Sequence, residues 1–139
     1  YKVRVGTSLE FWESKNWMRK SHPYGWVNWY CDFYLGKRCE DDKRQIERWK
    51  SLAGPRGRFM RFLVSLIIKK NTSYDDESVS PKIRQVLQHW ACKLTKKDYD
   101  DEIKRRKKLN NNHFSVQRYD VSKILNLTRG VQFDPVYTG

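Results

Sequence analysis

Long apolar runs and a paired set of cysteines are both missing from this sequence. The longest nearly apolar stretch, Phe62 to Ile68, is much shorter than the roughly 20 residues of a membrane-spanning helix. The three cysteines are an odd number, whereas a small secreted domain usually has a paired disulfide framework. The start, Tyr1 to Val5, has neither an initiating methionine nor a signal peptide, which predicts a fragment or a processed form. We therefore predict no membrane span and a reducing intracellular compartment, the nucleus or the cytoplasm.

Acidic residues are scarce relative to basic ones. The chain has 16 Asp and Glu against 29 Lys and Arg, which gives a formal net charge of +13. Residues 37–70 and 104–129 each carry about +7, whereas residues 71–103 carry about −2. Clustered cations favour a polyanion such as nucleic acid, because binding releases its condensed counterions. The alternative is a solvated basic surface, or one that faces the acidic surfaces of other proteins.

Aromatic residues are abundant, at 14% of the 139 residues. One domain of this length can therefore bury a substantial core, although 32% of its residues are charged. Because the apolar periodicity is helical, we predict an all-α fold, a compact bundle of about six short helices in residues 1–109. Residues 110–139 lack a long periodic pattern, which predicts either a disordered tail or an extended docking arm.

The helix signals are local. The first four predicted helices cover residues 8–18, 24–35, 41–53 and 58–70. A fifth begins at Ser80-Pro81, and a sixth begins at a capping box formed by Thr95 and Asp98. Residues 71–78 are polar and acidic, which predicts a linker or a mobile loop.

Four aromatic residues of the second predicted helix share one face. They are Trp26, Trp29, Tyr30 and Phe33, spaced at i, i+3, i+4 and i+7. A helical stripe of rings usually faces the core, and we predict burial. The alternative is a platform on which single-stranded bases stack.

The loop from Gly54 to Arg58 has two glycines and two arginines just before a predicted helix. Backbone N–H groups at a helix N-terminus and arginine side chains both bind phosphate. The loop lacks the Gly-Lys-Ser/Thr ending of a Walker loop, and an ordinary turn between helices is the alternative. Further candidate phosphate contacts come from basic runs in two helices. The predicted phosphate-binding residues are Arg44, Arg48, Arg56, Gly57, Arg58, Lys104, Arg105 and Arg106, with Lys43, Lys107 and Lys108 in the same runs.

Metal binding and catalysis have weak signals. Cys31, Cys39, His89 and Cys92 are zinc-type ligands, but the first two are eight residues apart, and free cysteine is commonly a small buried apolar residue. We predict no metal site and no cofactor, with His89 at the edge of the core and His22 at the surface. The carboxylates lie mostly in solvated runs, so no catalytic residue is predicted.

Several segments together resemble one family. They are residues 23–26, 29–38, 41–42, 44–49, 54–58 and 84–90. In these segments the chain resembles an uncharacterised family of small basic, tryptophan-rich proteins encoded by algae, other protists and large DNA viruses, and the resemblance covers about residues 11–95. It implies a shared fold and no particular activity. A viral source would imply a virion as a further location.

These observations favour a non-catalytic module that contacts nucleic-acid phosphates without strong sequence selection. One alternative is a structural component of a large DNA virus particle, such as a minor capsid or core protein, in which the basic surface meets acidic proteins. A second alternative is an enzyme that modifies nucleic acid. A bound metal or a buried carboxylate facing the loop at residues 54–58 would indicate the enzyme.

Overall fold

The computed structural model of the protein describes residues 1–111, most of which lie in six helices. The helices are α1 (Leu9–Ser14), α2 (Trp26–Tyr34), α3 (Asp42–Leu52), α4 (Arg58–Lys70), α5 (Pro81–His89) and α6 (Lys96–Asn111). The predicted all-α fold is confirmed. Residues 112–139, where most of the predicted arm falls, lie outside the described residues. Within residues 1–111, no helix combines the length and the apolar character needed to cross a bilayer.

Helix α4 is the centre of the bundle, because α3, α5 and α6 all pack against it. The apolar residues of α4 cover enough of its surface to contact all three neighbouring helices. Among them, Leu63, Val64 and Ile67 are fully buried. Burial of such side chains stabilises the fold by about 1.5–3 kcal/mol each. The helix ends at Asn71, whose left-handed backbone (φ 52°) stops it.

Tryptophans join α2, α3 and α5. The Trp26 and Trp90 rings are 5.0 Å apart between centroids, and the Trp49 indole donates a hydrogen bond of 3.0 Å to the Trp90 carbonyl. The Trp29 indole donates to Asp42 at 2.8 Å, which fixes the start of α3 against α2. The bulky rings therefore fill the core while their N–H groups connect the helices.

The predicted burial of the α2 stripe is confirmed in part. Trp26 and Trp29 are buried and Phe33 is half-buried, but Tyr30 is exposed. The stripe is wider than the surface that α3 and α5 cover, so its outer edge faces solvent.

The first two helices are shorter than the sequence predicts. Helix α1 ends at Ser14 rather than near Met18, because Asn16 adopts a left-handed backbone with φ 54°. Helix α2 begins at Trp26 rather than Tyr24. Gly25 precedes it with φ 80° and ψ −154°, a conformation open essentially to glycine, and Pro23 lies in the preceding turn.

Residues 71–80 link α4 to α5, in agreement with the linker predicted for residues 71–78, and they fold around one buried arginine. The Arg84 guanidinium donates to the carbonyl oxygens of Tyr74, Asp76 and Val79 at 2.9 to 3.0 Å. Asp76 in turn accepts bonds from Thr72 and Ser78, and these bonds hold its pKa far below the usual range. The segment thus has its own polar framework.

Candidate functional site

The loop between α3 and α4 presents arginine side chains but not the amide predicted for it. Arg56 and Arg58 are exposed, with the Arg58 guanidinium 5.4 Å from the Phe59 ring centroid. Gly57 is buried, and its N–H donates to the Gly54 carbonyl at 2.7 Å. Gly57 therefore shapes the turn, and its N–H is already used within the protein.

The basic run of α6 divides into exposed and bonded members. Lys104 is exposed, whereas Arg105 and Arg106 both bind the buried Glu102 at 2.6 to 2.7 Å. Burial raises the pKa of Glu102, but hydrogen bonds from the two arginines outweigh it, so the net shift is downward. Two of the predicted phosphate contacts are thus engaged inside the fold.

The predicted residues on α3 are held by acidic and amide partners. Arg44 binds Asp41 with two parallel bonds of 2.6 and 2.8 Å, which hold the pKa of Asp41 below its ordinary value. Arg48 donates to Gln45 at 3.1 Å, and its guanidinium carbon lies 5.4 Å from the Trp90 ring centroid. Both guanidiniums belong to a pocket that the sequence did not indicate.

This pocket, of about 320 Å³, lies between α3 and the chain from α1 to the start of α2. We call it the Arg–Trp pocket after the three arginines and three tryptophans among its lining residues. These are Arg19, Arg44, Arg48, Trp12, Trp17 and Trp26. None of the described residues that line it is acidic.

The connection between α1 and α2 forms one wall of the Arg–Trp pocket. Trp17 N–H bonds back to the Trp12 carbonyl at 3.1 Å, and the two indoles meet edge to face with centroids 5.7 Å apart. A tight turn follows, in which His22 N–H donates to the Arg19 carbonyl and Gly25 N–H to the His22 carbonyl. These bonds place Arg19 opposite α3.

The electrostatics of the pocket favour an anion. Asp41, behind the lining, is the carboxylate shared by Arg19 (3.5 Å) and Arg44. Burial, which is the largest cause, and the positive charges of Arg44 and Arg19 together lower the pKa of Arg48 to about 10, although the charge of Asp41 acts in the opposite direction. The guanidinium stays charged at neutral pH, and its lowered pKa reflects partial burial close to two other cations.

Two buried polar atoms in the walls have no hydrogen-bond partner among the described residues. They are His22 Nδ1 and Trp26 Nε1. His22 is buried, which makes its predicted surface position wrong, and its Nε2 lies 3.6 Å from Asp32. A buried polar atom without a partner costs about 1–3 kcal/mol.

The four zinc-type ligands do not assemble. Among residues 1–111, no three His, Cys, Asp or Glu side chains are placed to hold a metal ion. Cys31 and Cys39 are exposed, and burial raises the pKa of Cys92 to about 11. His89 lies 3.0 Å from the Gln85 amide at the edge of the core, as predicted.

Sequence reasoning found Arg44 and Arg48 but missed Arg19, Trp12 and Trp17 as partners in one site. Arg19 lies just beyond the predicted first helix, where the helix dipole alone is enough to favour a basic residue. The sequence signal for this site is the high density of tryptophan near Arg19. Tryptophans that simply fill the core would give the same pattern. Comparison with protein-family models, curated proteins and solved structures finds no match to this chain.

Proposed function

We propose that this domain binds nucleic acid through its phosphate groups, with the Arg–Trp pocket as the principal contact. The observation that supports the proposal is the meeting of three arginine side chains in one pocket whose described lining has no acidic residue, with a single carboxylate, Asp41, shared by Arg19 and Arg44. Arginine matches phosphate with paired N–H donors, and partial burial strengthens such bonds relative to bulk water. A phosphate in the pocket would lie among the side chains of Arg19, Arg44 and Arg48.

The rest of the molecule supplies a weaker, distributed attraction. Arg56, Arg58 and Lys104 are exposed, and the net charge of +13 draws a polyanion toward any face. Such contacts carry no base information, so little sequence selection is expected.

Arg19 offers the sharpest test because its side chain is 55% exposed and its replacement leaves the core intact. We expect Arg19→Ala to weaken binding of a labelled mixed-sequence strand roughly tenfold and to lower the slope of log affinity against log salt by about 1. Lys20→Ala is the matched control, since Lys20 is the adjacent exposed cation and does not line the pocket. Equal losses in the two variants would contradict the pocket as principal contact.

A structural component of a large assembly, including a virus particle, is the second candidate. An arginine-lined pocket accepts a carboxylate of an acidic protein as well as a phosphate, and that chemistry favours this reading. Titration with poly-L-glutamate separates the two. If it binds at physiological salt as tightly as a nucleic acid of equal charge, and binding weakens in Arg19→Ala, the assembly role becomes the better proposal.

A further inference from the structure

Three aromatic rings of α2 form a ladder that leads from the core to solvent. Trp26, Tyr30 and Tyr34 are spaced four residues apart, so their rings lie along one line of the helix. The Trp26 and Tyr30 rings are stacked, with centroids 5.0 Å apart and planes 18° apart, and Tyr34 follows at 6.5 Å. The exposed fraction of the side chains rises from 2% to 39% to 79% along the ladder.

The ladder starts in the wall of the Arg–Trp pocket. Trp26 lines the pocket and is also the innermost ring of the ladder. A molecule whose phosphate group lies in the pocket would therefore have the rings of the ladder beside it. Two exposed cations, Lys37 and Arg38, follow α2 after Leu35 and Gly36, and Lys37 is paired with Asp32 at 2.9 Å.

We infer that the nucleic acid is single-stranded, with a base stacked on Tyr34 at the exposed end of the ladder while a phosphate lies in the Arg–Trp pocket. This inference rests on the proposed function. The flat faces of bases inside a duplex are covered by their neighbours, whereas those of a single strand are open to stacking on tyrosine. Such stacking is worth about 1–3 kcal/mol per base and tolerates any sequence. An apolar protein surface is the competing occupant, because Leu35, beside Tyr34, is 73% exposed.

The test compares affinities for a single strand, its duplex and an abasic strand of equal length, using the full chain. We expect the wild-type protein to bind the single strand at least about tenfold more tightly than the other two ligands. Tyr34→Leu keeps an apolar side chain but removes the ring, so it should lower single-strand affinity roughly fivefold to tenfold and leave duplex affinity unchanged.

Two variants serve as controls. Tyr34→Phe retains the ring and should bind the single strand like the wild type. Leu35→Ala removes an equally exposed apolar side chain that is outside the ladder, and it should also bind normally. Circular dichroism of each variant confirms that the helices are intact, which is expected because both positions are highly exposed.

Three results would overturn the inference. Equal wild-type affinity for the single strand and either of the other ligands would exclude base stacking. An unchanged single-strand affinity in Tyr34→Leu, or an equal loss in Leu35→Ala, would exclude the ladder as the stacking surface. With any of these outcomes, salt-dependent binding would persist and the proposed function would stand. Failure of the wild type to bind any of the three ligands at low salt would overturn both proposals.

Discussion

At the residue scale, Gly57 shows how a position predicted for ligand contact has a steric role instead. A Cβ built on Gly57 would lie 2.6 Å from the carbonyl carbon and oxygen of Leu52 and 2.7 Å from the nitrogen of Ala53. These are backbone atoms of the turn after α3, which cannot move aside as a flexible side chain does. The absence of a side chain at this position lets α4 start close against the end of α3.

Gly57→Ala should therefore lower the free energy of unfolding by roughly 2–4 kcal/mol, as severe local overpacking does. Gly36→Ala is the comparison, because Gly36 has open space around it and only a positive φ of 89°. That variant should lose about 1 kcal/mol from backbone strain alone. Urea denaturation of both variants measures the difference, and equal losses would contradict the steric role.

At the element scale, α6 is docked by a polar cluster rather than by a wide apolar face. Arg106 binds Glu102 on its own helix and donates to the Arg61 carbonyl at 2.9 Å and the Ser65 hydroxyl at 3.0 Å on α4. Glu102 thus orients the arginine that connects the two helices. The predicted capping box is confirmed, with Asp98 N–H donating to the Thr95 hydroxyl at 3.1 Å.

Replacement of Glu102 by glutamine should destabilise the protein by roughly 2–4 kcal/mol at neutral pH, because two half-buried arginines lose their charged, buried partner. The folded-state pKa of Glu102 is lowered, so its stabilising effect is complete above the ordinary value of 4.5 and is lost as pH falls through the lower folded-state pKa. The difference in unfolding free energy between wild type and Glu102→Gln should accordingly be constant near neutrality and shrink in acid. Asp101→Asn, which breaks an exposed pair with Lys97, should differ from wild type by less than about 1 kcal/mol at every pH. A difference that stays constant into acid would contradict the ionised role of Glu102.

The elements differ in how far the sequence predicts them. Helix α4 begins and ends as predicted because Pro55, Gly57 and a wide apolar face are all local signals. The ends of α1 and α2 depend on left-handed residues, Asn16 and Gly25, whose conformation no periodic pattern reveals. The Arg–Trp pocket was beyond prediction for another reason. It forms where the α1–α2 connection meets α3, and the residues that meet there are far apart in the chain.

At the scale of the whole molecule, charge and shape make different predictions about where a polyanion binds. A net charge of +13 attracts it to every basic face, and on charge alone the two arginines of the loop at residues 54–58 should matter more than one arginine elsewhere. Shape favours the Arg–Trp pocket, where guanidinium groups are partly withdrawn from water and rings lie beside them. At Arg48, burial and the charges of Arg44 and Arg19 lower the pKa while Asp41 raises it, and the net lowering agrees with a partly buried, cationic site.

A salt series on two variants decides between these accounts. If the pocket dominates, Arg19→Ala should lose more single-strand affinity at physiological salt than the double variant Arg56→Ala/Arg58→Ala, although the double variant removes twice the charge. Screening by salt acts strongly on the exposed loop and weakly on the half-buried pocket, so the gap should widen as salt increases. A larger loss in the double variant at every salt concentration would instead place the main contact on the loop, and binding would then depend on surface charge rather than on the arginines of the pocket.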